Sequence, residues 1–221
     1  MELRSEYDSD LAAKPVLRMT TQEKFWSWFL QHEEELFGFD PEQEADREII
    51  FDQLARELQR VDPDLSFELG PKETKRQFVI SASGIKRAFH AVASLLDVAP
   101  SLERWNLIAF RPRRTPLGVV KFGRKSVDPA GVQFTLVDNG NKAGLYLFIP
   151  GFEENDPELK TIGYLLLDSA LGEYDVESRL GLIKMFSPDA STEGDRYPLT
   201  DLPAQFDTLI LRLEGRARRR S

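Results

Sequence analysis

The chain of 221 residues contains no cysteine. That excludes disulfides, thiolate zinc sites and a cysteine nucleophile, and it fits a reducing compartment. Histidine is almost as scarce: His32 and His90 are the whole supply. A three-histidine metal site is therefore impossible, and a Ser-His-Asp triad would depend on one of these two. No apolar run approaches the roughly 18 residues that a membrane-crossing helix needs. The first ten residues, MELRSEYDSD, are acidic and polar where a signal peptide is basic and then apolar. Neither GxGxxG nor GxxxxGK(S/T) occurs, so no phosphate-cradling glycine loop is encoded. Together these absences predict a cytoplasmic protein without a bound cofactor or metal. They leave no catalytic signature to read.

What is present predicts an α+β fold with an N-terminal helix pair. Residues 1–20 show no periodicity and read as an arm. Met19, directly before a helix start, is an alternative to Met1 as the natural first residue. Thr20 and Glu23 have capping-box spacing, in which the hydroxyl and the carboxylate each satisfy one free helix amide. A helix follows to about Phe37, with Phe25, Trp28, Phe29, His32 and Leu36 on one side. Asp40-Pro41 opens a second helix, with Ile50, Leu54, Leu58 and Val61 inward and an acidic outer face of Glu42, Glu44, Asp46 and Glu48. Two strand-like segments, 65–69 and 77–82, read as a hairpin. Ile85 to Ala99 has helical periodicity, and Trp105–Phe110 reads as an internal strand.

The order then recurs. Strands are expected at 132–137, 144–149 and 180–186, with a helix from Pro157 to about Leu171. Phe206–Leu213 alternates like a terminal strand. The expected organisation is two ββαβ-like lobes forming mixed sheets covered by helices. The first lobe spans 21–114 (ααββαβ). A basic, Pro/Gly-rich connection covers 115–131. The second lobe spans 132–214, and a basic tail covers 215–221.

Charge is unevenly distributed. The formal net charge is -8, yet no acidic residue lies between Glu103 and Asp128. Arg111, Arg113, Arg114, Arg124 and Lys125 fall in that stretch and are the candidate anion- or partner-binding residues, since guanidinium groups clamp phosphate or carboxylate bidentately. Read structurally, the same segment docks on the protein's own acidic surface or is simply solvated. Asp168, Glu173 and Asp175, with Glu177, gather at the end of the second-lobe helix. Crowded carboxylates shift one another's pKa, so these are the candidate catalytic residues, against a solvated helix end. The spacing is not that of a calcium loop. His32 reads as a packed core-edge residue and His90 as solvated.

The segments FWSWF at Phe25–Phe29, VISASG at Val79–Gly84, WNLIAFRP at Trp105–Pro112 and LGEYDVESRLG at Leu171–Gly181 resemble, in their layout, a group of uncharacterised bacterial proteins of unknown function. The likeness runs from about Thr21 to Phe186. It implies a bacterial, cytoplasmic, non-secreted protein and carries no activity or catalytic residue with it. Two functional expectations follow. One is a non-enzymatic interaction protein that holds a charged protein partner through the basic segment. The other is a small hydrolase or transferase in which the arginines position an anionic substrate and the carboxylates act as acid and base. Nucleic acid is disfavoured as a partner by the acidic balance, and no membrane is expected. The wide aromatic stripe of the first helix leaves self-association open.

Overall fold

The computed structural model describes residues 18–38 and 44–219, the side chains of 44–48 excepted. The expectations for most of the N-terminal arm, the Asp40-Pro41 helix start, the acidic face at Glu42–Glu48 and the last two tail residues lie outside this set.

Helix and strand are mixed, and the class is α+β. Helix α1 (Thr21–Gln31) begins with the complete capping box of Thr20 and Glu23. The expected single helix to Phe37 is broken at His32. Its ring stacks on Trp28 at 4.6 Å, and Nδ1–H donates to the Trp28 carbonyl at 2.9 Å. That carbonyl also takes the His32 amide, at 3.2 Å. A short α2 (Glu33–Gly38) follows, then α3 (Glu44–Val61).

Strands β1 (Ser66–Leu69) and β2 (Arg76–Ser81) form the expected hairpin. Helix α4 (Phe89–Asp97) crosses over to β3 (Trp105–Ala109), which pairs with β2 in parallel. The core of this lobe gathers Phe25, Phe29, Leu54, Leu58, Phe78, Val92, Leu95 and Trp105. Arg76 is buried within it. Its guanidinium donates to the carbonyls of Leu36, Phe37 and Gly70, closing the carboxyl end of α2, which has no basic residue of its own.

The connection at 115–131 is more ordered than a linker. It holds a small hairpin, β4 (Val120–Phe122) and β5 (Lys125–Val127), laid against the later helix α5. Gly123 turns it at φ +57°, a conformation that favours glycine.

The second lobe repeats the ββαβ order. β6 (Gln133–Asn139) and β7 (Lys142–Phe148) are antiparallel. Helix α5 (Pro157–Leu171) starts at an Asp156 cap followed by proline, as read from sequence. Strand β8 (Leu180–Phe186) pairs in parallel with β7. The sheet order is β8-β7-β6-β9, with a two-residue β9 (Tyr197–Pro198) at the far edge. The sheet order β1-β2-β3 of the first lobe matches β6-β7-β8 of the second, with the same antiparallel and then parallel pairing.

Two expectations are corrected. The acidic turn after α5 is a further helix, α6 (Glu173–Arg179). The terminal segment is not a strand but helix α7 (Leu202–Arg218), which takes in most of the basic tail. Leu202, Phe206, Leu209, Ile210 and Leu213 are its buried residues; from Phe206 their spacing of three, four and seven is helical, and Pro203 in its first turn favours a helix start. No described helix is long and apolar enough to cross a membrane.

A candidate site at the seam between the lobes

Because β2 and β3 run in parallel, their carboxyl ends lie side by side at one end of the first lobe. The backbone leaves ordinary conformations there. Ser83 (φ +55°) and Phe110 (φ +62°) are the non-glycine residues with positive φ among the described residues, and Gly84 follows at +74°. Side chains rarely adopt such angles, and they persist only where neighbouring contacts hold them.

Glu173, the first residue of α6, supplies those contacts. It is fully buried. Oε1 accepts from the Gly84 amide and Oε2 from the Arg111 amide, each at 3.0 Å. The Glu173 amide in turn donates to the Arg111 carbonyl at 2.9 Å. One carboxylate from the second lobe thereby satisfies the strand ends of the first. Gly172, before it, has φ +81° and faces the Arg111 carbonyl, so a side chain there would be strained.

The arginines after β3 continue the seam. Arg113 forks onto Asp207 of α7 with two contacts of 2.8 Å, reaches Asp175 at 2.8 Å, and donates Nε–H to the Leu171 carbonyl. These bonds hold its proton more tightly than usual and keep Asp207 below the ordinary carboxylate range. Arg114 pairs with Glu68, and its amide donates to the Ser169 carbonyl at 2.7 Å. Arg111 pairs with Glu68 at 2.8 Å and lies 3.6 Å from Asp168. Tyr174 closes the seam against Phe89 and Phe110, with ring centroids 5.7 and 5.5 Å away.

Asp168 is the exception among these carboxylates. It is 8% exposed, and its carboxylate makes no hydrogen bond among the described residues. Burial, with the negative charge of Glu173 next, pushes its carboxyl up to about 7. Glu177 is raised for the same two reasons. Asp168 faces a cleft of about 370 Å³ lined also by Ser83, Gly84, Arg111, Thr161, Tyr164 and Glu177. A smaller hollow of about 170 Å³ on its other side is lined by Glu68, Arg111 and Arg114. A group that loses its proton near neutrality, beside a guanidinium and a hydroxyl-lined cleft, can serve as a general acid or base. No set of three metal-ligating side chains converges among the described residues.

The structure thus brings Arg111, Arg113 and Arg114 together with Asp168, Glu173 and Asp175, but the arginines are occupied by the protein's own acids. Arg124 and Lys125 stand apart on the β4–β5 hairpin, where Lys125 pairs with Asp156. His32 is packed on Trp28, and His90 is exposed. Sequence reasoning missed Glu68 and Asp207 as partners and Ser83-Gly84 as the receiving corner. A serine-glycine pair closing a buried strand was the available signal for the corner; nothing local marked the other two.

No protein-family model, curated protein or solved structure matches this chain.

Proposed function

We propose that the chain is a non-enzymatic interaction protein whose charged partner engages the β4–β5 hairpin rather than the Arg111–Arg114 segment. One observation carries this reading. Lys121 and Arg124 of the hairpin make no ion pair among the described residues, and they flank Phe122, which is 45% exposed. The seam arginines, in contrast, are spent on internal carboxylates. An exposed ring between unpaired cations suits an acidic protein surface, where opposite charge mainly sets orientation and on-rate. The bacterial, cytoplasmic setting belongs to the same proposal.

The test is quantitative capture from bacterial lysate with wild type and a Lys121→Glu/Arg124→Glu variant, at low and moderate salt and with nuclease. Salt-sensitive capture of protein that the variant loses is the expected result. Capture indifferent to the charge reversal overturns the reading, and nuclease-sensitive capture transfers it to nucleic acid.

A second reading is favoured by Asp168: a small hydrolase or transferase on an anionic substrate, with Arg111 positioning and Asp168 moving a proton. Its test is a screen of phosphate and carboxylate esters with wild type and Asp168→Asn. Turnover that depends on Asp168, with a pH profile centred near neutrality, supports it. Indistinguishable wild type and variant sink it.

A further inference from the structure

The two lobes repeat each other more closely than their topology alone requires. After β2, the Ile85 amide donates to the Ala82 carbonyl at 2.9 Å; after β7, the Phe152 amide donates to the Ile149 carbonyl at 3.1 Å. Gly84 and Gly151 stand at the same place in these turns, with φ +74° and +72°. Strand register extends the match, because Ile80 pairs with Ala109 and Leu147 with Met185. Phe110-Arg111-Pro112 therefore corresponds to Phe186-Ser187-Pro188. In the first lobe the amides of Gly84 and Arg111 hold a carboxylate. Their counterparts are Gly151 and Ser187, whose amides have no hydrogen-bond partner among the described residues.

This corner opens onto a groove of about 640 Å³ between α5 and β8, lined by Phe152, Lys160, Tyr164, Ile183 and Met185 among others. Strand β8 is the edge of its sheet. The Ile149 amide donates to the Phe186 carbonyl at 2.9 Å, so the main chain of Phe186 faces β7. Main-chain groups alternate along a strand, which turns those of Ile183 and Met185 toward the open edge. An unpaired edge beside a helix is a template for an added strand, with main-chain bonds giving affinity and side-chain pockets giving specificity. Lys160 and Lys184 line the groove without ion pairs among the described residues, against the single carboxylate of Glu154. Lys160 lies one turn from Asp156, the residue that Lys125 of the hairpin binds.

We infer that this groove docks an extended acidic segment of a partner protein, which adds to β8 as a further strand and sets a carboxylate at the Gly151–Ser187 corner. This docking mode presupposes the interaction role proposed above and specifies the partner's chemistry.

The probe is a fluorescein-labelled peptide of alternating glutamate and valine, about ten residues long and blocked at both ends. It is titrated into the full chain by anisotropy, with amide exchange followed by NMR. Binding should slow exchange at the Ile183 and Met185 amides. N-methylation of alternate peptide amides, or Lys160→Glu with Lys184→Glu, should weaken it roughly tenfold. Binding that tolerates N-methylation and leaves Ile183 and Met185 unprotected overturns strand addition but not the interaction role. Binding lost in Lys121→Glu/Arg124→Glu and kept in the groove variant does the same, because it puts the peptide on the hairpin. Absence of binding at millimolar peptide overturns the groove as an acidic-peptide site, while the lysate capture still decides the broader role.

Discussion

Glu173 and Asp168 sit five residues apart on one seam, both buried but differently supplied with hydrogen-bond donors. Glu173 is supplied with two backbone donors, so its removal strands two part-buried amides. Glu173→Ala should cost about 3 kcal/mol, a hydrogen-bonded charge lost together with its unsatisfied partners, read as a lower urea midpoint with fold retained. Asp168 has no such donors, only Arg111 at 3.6 Å. Its carboxyl rises from 3.8 to about 7 in the fold, so the native state binds the proton more tightly than the unfolded chain. The stability this gives is present below about pH 4 and is lost as pH rises through about 7. Asp168→Asn should flatten that part of the profile and raise stability at pH 8 relative to wild type. Urea titrations at pH 5 and 8 check it; an unchanged slope would remove Asp168 as the cause. Neither behaviour was legible in DSALGEYDVE, because it depends on which amides a remote strand end presents.

Elements were legible where their stop signals were local. Helix α5 lies where Asp156-Pro157 and Gly172 put it, and β8 where its apolar run put it. Helix α7 was misread because FDTLILRL satisfies two periods at once. Alternation places Phe206, Thr208 and Ile210 inward; helical spacing places Phe206, Leu209, Ile210 and Leu213 inward, and burial follows the second. Leu213→Ala should therefore cost about 2–4 kcal/mol through the cavity it leaves, while Leu211→Ala, at a position 70% exposed, should lie within about 0.5 kcal/mol of wild type. Equal costs in chemical denaturation would contradict the helix. The break at His32 had no local stop signal either; it comes from a ring folding back onto the Trp28 carbonyl one turn earlier.

At the scale of the whole molecule, two hydrophobic clusters are joined through the Glu173 clamp, arginine-carboxylate pairs and the contacts of Tyr174 with Phe89 and Phe110. The ββαβ recurrence was visible in the order of apolar segments. The seam was visible only as two runs of opposite charge, since pairing Arg113 with Asp207 requires the folded chain. Reversing Arg111, Arg113 and Arg114 to glutamate should split unfolding into two calorimetric transitions, because like charges then face each other across the seam. A single transition at an unchanged temperature would mean that the lobes are coupled by something other than these pairs.

The Glu173 clamp also has a meaning in time. Gly84 and Arg111 leave the ribosome well before the carboxylate that satisfies them, and Asp207 follows later still. During synthesis the first lobe therefore emerges with two bare amides and an arginine edge whose second-lobe carboxylates have yet to be made. That edge is an adhesive surface in the nascent chain and a sealed one in the finished protein.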